Sequence, residues 1–63
     1  MEFNLKALRS KSGMTQVELS EKSGVGRVTI SRLESGGLKE TTLGTLTKLA
    51  KALSVSVDDL IKS

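Results

Sequence analysis

The 63 residues contain no cysteine, histidine, proline, tryptophan or tyrosine, and a single aromatic side chain, Phe3. Without Cys or His there is no disulfide to staple a small fold and none of the usual zinc ligand sets, so no cofactor or metal is expected. The missing histidine also removes the commonest general base. With no evident lysine-activated serine pair, the many serines do not read as nucleophiles, and no enzyme is expected. One ring argues against single-strand or RNA recognition by stacking, which leans on several exposed aromatics. No apolar run approaches the ~20 residues that a membrane span needs, and no leader peptide is expected. A soluble, cytoplasmic protein with no membrane partner is expected.

A chain this short buries only about 60% of the surface its unfolded form exposes, and its core rarely supplies more than about 3–5 kcal/mol unaided. A single domain over residues 1–63 is all that the length allows. With disulfides and metals gone, stability must come from good helix packing or from a second copy of the chain, so dimerisation is favoured on that ground alone. Ten Lys and Arg against seven Asp and Glu give a net charge of +3. That balance suits a polyanion partner without requiring one, since mild basicity also serves solubility.

Leu5 and Leu8, with Lys6, Arg9 and Lys11 on other faces, predict a short amphipathic helix over 4–12, capped by Asn4 and ended by Gly13. Thr15 with Glu18 three residues on is a capping box that opens a second helix. Val17 and Leu19 are its larger apolar residues, and Ser20 and Ser23 are small enough for another helix to approach. Gly24 suits a bend with positive φ. A third helix, from Gly26 or Arg27 to Ser35, has Val25, Ile30 and Leu33 as its buried positions and ends at Gly36-Gly37. After a polar connection over 37–41, Thr41 or Thr42 caps a fourth helix over 43–53, whose Leu46, Leu49, Ala50 and Leu53 share a face. Ser56 with Asp59 opens a fifth helix over about 57–62, with Val57, Leu60 and Ile61 apolar. Alternation at 55–57 is too short to make a sheet, so no strand is expected. The fold class is all-α, a compact five-helix domain.

Residues 15–36 then form two short helices around a tight corner, the arrangement of a helix-turn-helix. Opposite Ile30 and Leu33, the third helix carries Arg27, Val28, Ser31 and Arg32, with the arginines about one and a half turns apart. A face of that kind can read base edges in the major groove of DNA. The ordinary alternative is a solvated face, as for most charged helical residues, and Lys48 and Lys51 on the fourth helix are read that way.

The run GMTQVELSEKSGVGRVTISRLESG, followed by TLTKLAKALSVSVDDLI, resembles the Cro/C1-type (XRE-like) helix-turn-helix family of phage repressors and bacterial transcriptional regulators. The likeness extends from about Leu5 to Ile61. Thr15-Gln16, Gly24-Val25, Thr29-Ile30-Ser31, Glu34 with Gly36, and Leu49-Ala50-x-Ala52-Leu53 carry it, in order. The resemblance implies a lambda repressor-like DNA-binding domain in which Arg27, Val28 and Arg32 face base edges. Arginine offers a bidentate fork to guanine, and valine an apolar contact to a thymine methyl. Gln16 would meet a phosphate and also brace a side chain of the third helix. Thr29 and Ser31 would lie beside the sugar-phosphate wall, while Ser35, Gly36 and Lys39 would hold phosphates.

The same resemblance implies a partly buried, structural ion pair between Arg9 and Glu34. It also implies a dimer interface in the C-terminal region, drawn from Val55, Val57, Leu60 and Ile61, residues that by themselves equally suit the bottom of the monomer core. The chain departs from the family at Gly26, where Ser or Thr often caps the third helix, and at Ser54, which replaces a common glycine. Its connection over 37–41 is longer than typical and lacks proline.

These observations point to a sequence-specific regulator of transcription that binds double-stranded DNA, a repressor acting as a homodimer on a pseudo-palindromic operator. The alternative, from a different class, is an antitoxin-like or adaptor protein that binds a partner protein, such as a toxin, and touches DNA more weakly.

Overall fold

The computed structural model describes residues 2–38 and 40–62, with the backbone alone at Lys62. The elements run β1 (Glu2–Phe3), α1 (Leu5–Lys11), α2 (Gln16–Ser23), α3 (Arg27–Ser35), α4 (Leu43–Leu53), α5 (Val57–Leu60) and β2 (Ile61–Lys62). Helix α2 packs on both α3 and α4, α4 on α5, and α1 on α3.

Local chemistry sets most of these boundaries. Thr15 Oγ1 accepts from the Glu18 amide at 3.1 Å, and Glu18 carboxylate accepts from the Thr15 amide at 2.9 Å, so the capping box that opens α2 is formed in both directions. Ser56 and Asp59 repeat the motif ahead of α5, at 3.2 and 3.1 Å. Thr42 Oγ1 accepts from the Thr45 amide at 3.2 Å and starts α4. Asn4 occupies the cap position of α1, but its side chain makes no cap bond. At the far end of α4, Ser54 takes the left-handed conformation, φ 57°, that a glycine would adopt without strain. The Val55 amide then folds back to the Ala50 carbonyl at 2.9 Å, the reversed closure typical of a left-handed helix end.

Leu5, Leu19, Val25, Ile30, Leu33, Leu46, Leu49, Ala50, Ala52, Leu53 and Leu60 form one buried cluster contributed by all five helices and the turn after α2. Val17 lies outside it, 52% exposed, since the face of α2 that carries Leu19 is the one turned to α3 and α4.

The fifth helix stops at Leu60 rather than continuing to Lys62. Ile61 is extended, φ −94° and ψ 120°, and pairs antiparallel with Phe3 while Lys62 pairs with Glu2. The Asn4 amide donates to the Leu60 carbonyl at 2.8 Å. A helix whose last residues can reach a second segment satisfies its backbone there instead of in another turn. The expectation of no strand therefore fails over these four residues. Their partners lie at opposite ends of the sequence, where no local pattern couples them.

Candidate nucleic-acid interface

Helix α3 is fixed by its inner side. Ile30 is fully buried and Leu33 is 3% exposed, each contributing about 1.5–3 kcal/mol of transfer free energy. At about 100° per residue, anchoring those two turns Arg27, Ser31, Ser35, Val28 and Arg32 onto one contiguous outer arc. Arg27, Val28, Arg32 and Ser35 are exposed, and Thr29 and Ser31 are half-buried at the margins. Val28 is 61% exposed, a large apolar side chain left in solvent between two arginines.

The corner that aims this face is built at Gly24, which ends α2 with φ 77°. A residue with a Cβ would be strained in that conformation. Buried Val25 follows, with its amide bonded to Ser23 Oγ at 3.1 Å. Gly26 stands at the start of α3 and supplies no side-chain cap. At the other end Gly36, exposed and with φ 84°, closes the helix. The Leu38 amide returns to the Arg32 carbonyl at 3.1 Å. The Ser35 hydroxyl donates to that same carbonyl at 3.3 Å and accepts from the Gly37 amide at 3.4 Å. Lys39, expected at a phosphate, lies outside the described residues.

Behind the arc, three elements converge on Glu34. Arg9 Nε donates to its Oε2 at 2.6 Å and Arg9 Nη2 to its Oε1 at 3.0 Å, while Gln16 Nε2 donates to Oε1 at 3.0 Å. Arg9 Nη1 also donates to the Met14 carbonyl at 2.7 Å, tying in the loop before α2. The side chains of Arg9 and Glu34 are 14% and 4% exposed. Burial pushes the Glu34 carboxyl up, but the hydrogen bonds from Arg9 and Gln16, with the charges of Arg9 and Lys6, outweigh it and hold the group below its ordinary range. The expected bracing contact of Gln16 thus involves an acid at the end of α3.

Lys6 was not singled out by the sequence, yet it lines an open groove of about 240 Å³ with Arg9, Gln16, Ser31, Glu34 and Ser35. The available signal was its spacing: Lys6 lies three residues before Arg9, on the same side of α1.

The four residues expected at a dimer interface divide. Leu60 is 1% exposed and belongs to the core of the single chain, because α5 is only four residues long and turns its one leucine inward. Val55 and Val57 are partly buried against that core, and Ile61 is half-buried in β2.

The helix-turn-helix family matches residues 5–60. An uncharacterized HTH-type transcriptional regulator of Archaeoglobus fulgidus is 38% identical over 60 residues, which span 95% of this chain and 84% of that protein. Among solved structures, the N-terminal DNA binding domain of SinR from Bacillus subtilis superposes with a TM-score of 0.87 at 30% identity, over 94% of this chain and 86% of that one. The crystal structure of SinR, described as the master regulator for biofilm formation, in complex with DNA gives a TM-score of 0.83 at 31% identity, over 86% of each chain.

Proposed function

The chain belongs to the helix-turn-helix family, and from that premise we propose that it is a sequence-specific, double-stranded-DNA-binding regulator of transcription that acts as a repressor. Helix α3 lies in the major groove, with Arg27 and Arg32 donating to guanine edges and Val28 against a thymine methyl. The observation that carries this reading is the outer arc of α3, where Arg27, Val28 and Arg32 are all exposed while Ile30 and Leu33 pin the helix from behind. That SinR is solved in complex with DNA at a TM-score of 0.83 supports the same placement. Thr29, Ser31, Ser35, Gly36 and Gln16 then border the sugar-phosphate backbone.

A homodimer suits a chain of this size. Val55, Val57 and Ile61 supply a partly exposed apolar surface next to the paired chain ends, and two copies of α3 would enter major grooves about 34–36 Å apart on a pseudo-palindromic operator. No helix among the described residues is long and apolar enough to cross a membrane, and a cytoplasmic site of action follows from DNA as the partner.

Selection of bound duplexes from a random pool tests the reading. A recurrent motif with two-fold symmetry and half-sites one helical turn apart is the expected outcome; failure to enrich any motif would overturn it.

A further inference from the structure

Successive side chains on a helix differ by about 100° in direction and about 1.5 Å in height, so the two buried anchors of α3 fix where its other side chains lie. Ile30 and Leu33 face the core. With their bisector as the inward direction, Val28 lies about 10° from the outward one, Arg32 about 50° to one side of it and Arg27 about 90° to the other. Val28 is thus the crest of the arc, in keeping with its 61% exposure, and the arginines flank it. Along the axis Arg27 and Val28 differ by about 1.5 Å, whereas Arg27 and Arg32 differ by about 7.5 Å. Neither guanidinium is held by a carboxylate of the chain: among the described residues the one ion pair joins Arg9 to Glu34.

We propose that the half-site read by α3 has a core of three base pairs: two G·C pairs whose guanines lie on opposite strands, with one A·T pair between them. This rests on the DNA-binding reading above and adds the order, spacing and strands of the bases. With α3 running along the groove, arginines on either side of the crest reach toward opposite walls, and so toward guanines of opposite strands, each offering O6 and N7 to a guanidinium fork. Base pairs stack about 3.4 Å apart, so an axial separation of about 7.5 Å corresponds to two base steps. Val28 lies between the two arginine levels, and its short side chain reads only what is directly under the crest. That is the middle pair, and the thymine methyl is the apolar group that a base edge presents in the major groove. Along one strand the core reads guanine, then adenine or thymine, then cytosine, or the same triplet with its outer pairs exchanged.

Selection from a random duplex pool, run with the wild type and with three exposed-face variants, tests the arrangement. The wild-type motif should carry this triplet in each half. Arg27→Ala should lose the preference for one G·C pair and Arg32→Ala for the other, while Val28→Ala should relax only the pair between them. On the wild-type motif, moving either guanine to the other strand should weaken wild-type binding about tenfold or more. The same change should cost nothing further to the arginine variant that no longer reads that pair. Guanines on one strand, a different spacing, or both arginine variants relaxing the same pair would overturn the proposal and leave the DNA-binding reading standing. Failure to enrich any motif would overturn both.

Discussion

Arg9 and Glu34, 25 positions apart, meet through a bidentate fork in which Nε lies 2.6 Å from Oε2 and Nη2 lies 3.0 Å from Oε1. The third guanidinium nitrogen donates to the Met14 carbonyl at 2.7 Å. One side chain of α1 thereby fixes both the end of α3 and the loop that leads into α2. Charge-assisted bonds of this geometry are roughly twice as strong as neutral ones.

Arg9→Ala should therefore destabilise the fold by about 3–5 kcal/mol, because it strands a nearly buried carboxylate as well as losing the bonds. Denaturant titration measures it directly. The double variant Arg9→Met/Glu34→Leu should recover most of the loss; a double variant as weak as Arg9→Ala would show that the cost lies in packing of the arginine stem instead.

Stability should fall in acid through Glu34. Its carboxyl is held below its ordinary value in the folded chain, so the folded form binds fewer protons there than the unfolded form. The contribution is fully present above the ordinary carboxyl range, near pH 4.3, and is lost as pH drops through the lower folded value. Glu18, held down by the hydrogen bonds of the Thr15 backbone and then of its hydroxyl, acts in the same direction. Thermal melts between pH 7 and pH 2 should show a shallower acid slope for Glu34→Gln than for wild type, with a residue that reflects Glu18. An unchanged slope would contradict this assignment.

Ser54→Gly should stabilise the protein by about 0.5–1 kcal/mol. Serine here sits at φ 57°, where an L-residue carries a left-handed penalty of roughly 1–2 kcal/mol, partly offset by the extra unfolded-state freedom of glycine. A rise in melting temperature of about 2–8 °C checks it.

Binding to the selected duplex should be strongly salt-dependent. A dimer that neutralises roughly 6–10 phosphates should lose about 10³–10⁵ in affinity between 50 and 200 mM salt. A flat response in a binding titration would show that the basic residues do not meet the backbone.

The helices were legible in the sequence because their signals are local. Thr15 with Glu18 and Ser56 with Asp59 are visible three residues apart, and the apolar spacing of Leu46, Leu49 and Leu53 needs only one helix. The arc of α3 was legible for the same reason, since burying Ile30 and Leu33 places Arg27, Val28 and Arg32 outside. Pairing of Phe3 with Ile61 was not, because each strand is two residues long and its partner is at the opposite end of the chain. Nor could periodicity assign Leu60 to the core or Lys6 to the groove: both placements depend on how neighbouring helices pack.

The central claim is that the exposed arc of α3 reads base edges, and the most direct test compares Arg27→Ala and Arg32→Ala on the selected duplex and on random duplex. Each variant should lose about 1–3 kcal/mol of binding on the selected site, with little loss on random DNA and an unchanged melting temperature. Equal losses on both duplexes would contradict the account and assign the two arginines to the phosphate backbone.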